Sequence, residues 1–170
     1  MNPIILLLVS VGIFIAYNTF VFLRYGQEPS ISDSWYRLTL ADKWLFTLAT
    51  WGYVVPMLLL VLTNGGIEWH KYVFYAAAVL LILVGIFPDF KVKAERPWHV
   101  VGAEGGIATA MVWGLICGFW YVAIPFFIYT WLMMRNNIRN HTYWIEIVAY
   151  FSVVLMLWFK YVLFQSMVVQ

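Results

Sequence analysis

The chain has 170 residues, 64% hydrophobic and only 11% charged, with a mean hydropathy of +0.84. Soluble domains carry roughly 25% charged residues, and a soluble fold of this composition would expose large apolar patches and aggregate. A net charge of +2 with no dense basic face excludes tracking a nucleic-acid backbone, and the single Cys117 excludes an internal disulfide framework.

The pattern predicts an all-α integral membrane bundle of about six transmembrane helices, forming one domain over 1–170. A span needs ~20 apolar residues. The N-terminal run Ile4 to Leu23 has no basic leader and no small-residue cleavage site, so it reads as a retained first helix rather than a signal peptide. Span 1 covers about 3–24 and ends at Arg24. The polar stretch from Tyr25 to Arg37 follows, broken by Gly26 and Pro29, with Ser32 and Asp33 as N-cap candidates for a short interfacial helix. Span 2, about 43–63, contains Pro56 and ends at the turn signal Thr63-Asn64-Gly65-Gly66. Span 3, about 70–87, is closed by Pro88, and residues 89–97 form the most charged loop.

Residues 98–134 are predominantly apolar. A single helix of that length would measure ~55 Å against a ~30 Å hydrocarbon core. The run is therefore a hairpin, with its turn between Gly114 and Gly118 and spans at about 98–115 and 119–134. Span 6 follows at about 143–168. Loops 1, 3 and 5 then share a side and hold Arg24, Arg37, Lys43, Lys91, Lys93, Arg96, Arg135 and Arg139, whereas the opposite side holds Lys71. By the positive-inside rule both termini lie outside the cytoplasm, in a membrane expected to be a bacterial inner membrane.

This topology gathers polar residues on one membrane face. Ser32, Asp33, Ser34 and Tyr36 lie in loop 1, Asp89 and His99 bracket loop 3, and Glu146 opens span 6. Together they define a candidate pocket at the cytoplasmic mouth, for a lipid headgroup, a small polar ligand or a partner helix. The competing reading is that each only caps a helix or sits among headgroups. Two ionisable residues fall deeper. Glu104 reads as a neutral carboxyl in the packed interior or the partner of a basic group. Lys160 reads as a side chain that snorkels to the outer interface. Cys117, beside Gly118, reads as a small packing residue.

No HxxxH or HExxH pair occurs among His70, His99 and His141, and there is no P-loop or dinucleotide fingerprint. No cofactor or resident metal is expected. Three further readings stay open. One is a membrane-embedded lipid hydrolase or transferase, for which Ser32 or Ser34 with His99 and Asp33 or Asp89 would be the reacting set. The second is a proton or small-solute carrier working through Glu104 and Lys160. The third is a structural or assembly subunit, including one in a homo-oligomer. Membrane lipids are the expected surroundings in every case.

Several stretches carry a likeness: Tyr17-Asn18, Ser30-Ile31-Ser32-Asp33-Ser34-Trp35-Tyr36, Phe46-Thr47 with Trp51-Gly52, Phe87-Pro88-Asp89-Phe90-Lys91, His99-Val100-Val101-Gly102-Ala103, and Tyr143-Trp144-Ile145-Glu146. In this order the chain resembles a family of uncharacterised small multi-pass membrane proteins of Bacteroidetes-type bacteria and their phages, with SxSDSxY, FPxFK and HxxGA elements. The resemblance implies the architecture and a bacterial or phage origin, and no activity. A very remote likeness links Ser32, Asp33, Asp89 and His99 to the alkaline ceramidase and adiponectin-receptor superfamily of seven-helix zinc hydrolases. The chain departs from that pattern by lacking the late HxxxH pair and one helix.

Overall fold

Pro3 opens the first helix because its missing N–H is one that a helix terminus leaves unpaired anyway. Asn2 caps it, its side-chain oxygen accepting from the Ile4 N–H at 2.9 Å. Helix α1 (Pro3–Tyr25) ends at Gly26, whose φ of +81° suits a residue without a Cβ. The computed structural model describes residues 1–65 and 68–163, and among these there is no strand.

After α1 come the single-turn α2 (Ser34–Arg37), α3 (Trp44–Asn64) and α4 (Lys71–Ile86). The next rod is built of α5 (Arg96–Val100), a π-helical turn (Val101–Gly105) and α6 (Gly106–Ile116). Then follow α7 (Trp120–Arg135) and α8 (His141–Trp158), the last continued by a π-helical turn (Phe159–Leu163). The expected hairpin is present: the chain turns at Cys117 and Gly118, where φ at Gly118 is +85°. Helix α3 runs unbroken through Pro56. The end of the last expected span, 164–168, lies outside the described residues.

Among the described residues, four helical rods are long and apolar enough to cross a membrane: Pro3–Tyr25, Trp44–Asn64, Arg96–Ile116 and His141–Leu163. The other two long helices, α4 and α7, have 16 residues each. At 1.5 Å per residue they reach ~24 Å, short of a ~30 Å hydrocarbon core.

Helix α1 packs on α3, α3 on α4, α4 on α6, and α8 closes the ring by touching both α6 and α1. Helix α7 lies outside the ring against α6 and α8. Polar side chains tie the ring across its axis. Ser10 donates to the Tyr53 carbonyl at 2.7 Å and so accepts from the Tyr150 hydroxyl, also at 2.7 Å, joining α1, α3 and α8. Phe14 stacks on Tyr150 at 3.7 Å between centroids and meets Tyr53 edge-on at 5.3 Å.

Small residues set the α4 contact with the α5–α6 rod. A Cβ at Gly102 would sit 2.7 Å from the Leu80 carbonyl oxygen, which is backbone and does not swing aside. Gly102→Ala is expected to cost ~1–3 kcal/mol by forcing the two helices apart. At Gly105 the nearest atom would be the Leu80 Cδ1 at 3.6 Å, an ordinary contact. Gly105→Ala should therefore melt close to the parent protein in a thermal scan, well above Gly102→Ala.

Candidate functional site

Loop 1 folds inward and plugs one end of the ring, burying Glu28, Ser30, Ile31, Ser32, Ser34 and Leu38. A buried loop needs internal partners for its polar groups, and the neighbouring elements supply them. Ser34, 2% exposed, donates to the Ile31 carbonyl and so accepts from Tyr17 of α1 at 2.6 Å. Tyr143 at the start of α8 donates its N–H to the Pro29 carbonyl at 3.0 Å. Three residues on, the Glu146 carboxylate accepts the Ile31 N–H. Glu28, 4% exposed, is held by the Arg37 guanidinium at 3.1 Å.

Loop 3 holds the opposite edge of the plug. Tyr36 donates to Asp89 at 2.9 Å and accepts the Lys91 N–H at 2.7 Å. Burial, reinforced by the Asp89 carboxylate, pushes the Tyr36 phenol above its ordinary range against the pull of the Lys91 N–H. The phenol therefore stays protonated and donating. His99, 4% exposed, places Nδ1 2.8 Å from the Phe87 carbonyl and Nε2 3.0 Å from the Ser32 hydroxyl. A carbonyl only accepts, so Nδ1 carries the proton. A neutral His99 then offers Nε2 to the Ser32 hydroxyl. Its ring leans on Phe90 at 4.9 Å.

Behind the plug, inside the ring, is a cavity of about 80 Å³. Its walls are apolar side chains of α1, α3, α4, the α5–α6 rod and α8, among them Phe14, Phe46, Met57, Val84, Ala103 and Ala149. Ser32, Glu146 and the tyrosines of the aromatic cross-tie are the polar residues among the described ones that line it. Glu146 is half-buried, and one carboxylate oxygen is taken by Ile31.

Of the residues singled out from sequence, Ser32, Ser34, Tyr36, Asp89, His99 and Glu146 all meet at loop 1. Asp33 does not cap α2. Its carboxylate accepts from Ser30 at 2.9 Å, and its N–H donates back to Ser30 Oγ at 3.0 Å. His141 bonds its own loop, at the Ile138 carbonyl, and stays apart. One expectation is corrected. Glu104 is not in the packed interior: it lies on the outer surface of the π-helical turn and has no ion pair among the described residues. Lys160 reaches the loop between α3 and α4, where its ammonium pairs with Glu68 at 2.9 Å. Sequence reasoning missed Tyr17 and Glu28, both of which anchor the plug. Tyr17 belongs to the stretches that carried the family resemblance, the one signal that pointed to it.

Among the described residues, no group of three or more His, Cys, Asp or Glu side chains converges as metal ligands do. Comparison with known protein families, with characterised proteins and with solved structures finds no match to this chain.

Proposed function

We propose that this is a membrane protein whose six long helices all cross the bilayer, with the loop 1 end facing the cytoplasm, and that it binds a small amphiphile in the ring cavity. The bacterial inner membrane is the expected setting. The exposed Leu8, Ile15, Val79, Val112, Ile128 and Leu155 form a lipid-facing surface on both the long and the short helices. The short α4 and α7 fit by local thinning of the bilayer.

The observation that carries the binding reading is the cavity itself, an apolar chamber with Glu146 and Ser32 at its loop 1 end. The chamber is about half the ~150 Å³ of an engineered apolar cavity that accepts benzene. It suits a short alkyl chain or the tip of a longer one. Glu146 selects a head that donates hydrogen bonds, an amine or an alcohol, and disfavours a carboxylate. Burying each methylene contributes ~0.8 kcal/mol, so a four-carbon probe binds weakly, in roughly the millimolar range. Butylamine and butanol are expected to raise the melting temperature of the detergent-purified protein, and butyrate is not. Ala149→Leu, which fills the chamber one turn from Glu146, should abolish the effect. Equal stabilisation by butyrate, or an effect that survives Ala149→Leu, refutes the reading.

A second reading draws on the Ser32–His99 contact. A serine hydroxyl 3.0 Å from an imidazole nitrogen, at the wall of an apolar chamber, is the start of a lipid hydrolase or transferase site. The Phe87 carbonyl, rather than Asp33 or Asp89, orients the ring. Fluorophosphonate labelling that vanishes in Ser32→Ala supports it, and a protein that takes no label rejects it.

A further inference from the structure

The end of the bundle opposite loop 1 carries a separate cluster. Glu68 lies between α3 and α4, His70 immediately precedes α4, Cys117 forms the turn after α6, and Lys160 sits in the π-helical tail of α8. His70 Nδ1 is 3.5 Å from Cys117 Sγ. Its Nε2 is 2.9 Å from Glu68 Oε2, and the same oxygen is 2.9 Å from Lys160 Nζ. Thiol, imidazole, carboxylate and ammonium thus form one chain of contacts, assembled from three separate places in the chain.

The protonation states follow from the surroundings. The hydrogen bond from Lys160 holds Glu68 below its ordinary range, as a carboxylate. Burial, then the Lys160 charge, hold His70 below its ordinary range, as a neutral imidazole. A carboxylate only accepts, so Nε2 carries the proton and Nδ1 is left as an acceptor facing the thiol. Burial pushes the Cys117 thiol up to about 11, so at rest it keeps its proton. The set is not a preformed thiolate pair. It is a nucleophile beside a general base that a carboxylate orients.

Two further observations point to what reacts there. Tyr161 is 2% exposed, and its hydroxyl has no partner among the described residues. It is close enough to Cys117 and Glu68 to interact electrostatically with both. An unpaired buried donor is the kind of group that a developing oxyanion requires. Around the cluster, Trp69, Tyr72, Trp120 and Tyr121 are all exposed. Such aromatic residues belong at the membrane–water boundary, the depth at which lipid acyl linkages lie.

We infer that Cys117, His70 and Glu68 form an acyl-accepting site at this end of the bundle, which takes the acyl group of a lipid ester or an acyl thioester onto Cys117. Cys117 Sγ attacks the acyl carbonyl carbon and forms a C–S bond as the thiol proton passes to His70 Nδ1. Tyr161 donates to the carbonyl oxygen as it becomes an oxyanion. Glu68 stabilises the imidazolium and holds its orientation, and Lys160 fixes Glu68. Collapse breaks the carbon–oxygen bond of the ester, or the carbon–sulfur bond of the thioester. His70 returns the proton to the departing alcohol or thiol. The products are S-acylated Cys117 and the free alcohol or thiol, with no change of oxidation state.

Cys117 is the sole cysteine, so thioester formation is read without ambiguity from intact mass. The full chain is incubated in phosphatidylcholine vesicles in one arm. In the other it is held in detergent with a butyryl thioester of N-acetylcysteamine. The expected result is one acyl group per chain, removed by hydroxylamine. Loading from the vesicles identifies a lipid ester as donor, and loading only in the second arm identifies a thioester. His70→Asn should slow loading by ~100-fold, the usual loss of a general base. Glu68→Gln should slow it with little change in melting temperature, and Glu68→Asp should recover part of the rate. Folded protein that gains no acyl group in either arm overturns the proposal. So does loading at the same rate in the parent, His70→Asn and Glu68→Gln, which would mark Cys117 as an accessible thiol and nothing more.

Discussion

His99→Ala is expected to be among the most destabilising single substitutions in the molecule, at ~3–5 kcal/mol. Three losses combine. The ring is 4% exposed, so its removal leaves a void among Phe90 and its neighbours. The Phe87 carbonyl loses its partner inside the fold. The Ser32 hydroxyl loses the acceptor that holds loop 1 against the α5–α6 rod. His99→Gln restores one polar contact at most and should fall between Ala and the parent. The check is thermal unfolding in a single detergent, followed by limited proteolysis. Loop 1 of His99→Ala should be cut between residues 26 and 43, where the parent is resistant. A variant within ~1 kcal/mol of the parent would mean that His99 is not a support of the plug.

Glu146 gives the second large effect, and here two substitutions must be compared. Glu146→Gln keeps an oxygen that accepts the Ile31 N–H, whereas Glu146→Leu leaves that N–H buried without a partner. An orphaned buried donor costs ~1–3 kcal/mol. Glu146→Leu should therefore melt below Glu146→Gln by that amount. The comparison cancels the loss of the carboxyl group that both variants share. Equal melting of the two would show that the Ile31 contact contributes nothing. The same pair bears on ligand choice: Glu146→Gln should weaken amine binding more than alcohol binding.

Much of the helical layout was legible because proline and glycine punctuate long apolar runs. Pro3, Gly26, Pro88 and Gly118 each stand at or within two residues of a helix end. The hairpin between α6 and α7 followed from length alone, since one helix cannot fill the run 98–134 within a bilayer. The convergence of the polar residues was legible too, because successive antiparallel helices bring loops 1, 3 and 5 to one end. Their task was not. Nothing in Ser34 or Tyr36 tells a residue that faces a ligand from one that pins a loop, and most of them pin the loop. Glu104 shows two rules in conflict. Counting from His99 through Gly102 and Gly106, the helical period turns Glu104 outward, while the rule that charges avoid lipid turns it inward. The structure follows the period. The Glu68, His70, Cys117 and Lys160 chain of contacts was invisible in sequence because its members are scattered over three places and joined only by packing.

In the proposed function a ring of helices, closed by loop 1, holds one small amphiphile against Glu146. Native mass spectrometry of the protein released gently from its own membrane tests it most directly. One retained amphiphile per chain is expected, with an amine or hydroxyl head, absent from Ala149→Leu prepared in the same way. A bare parent chain, or the same adduct on parent and Ala149→Leu, would contradict it.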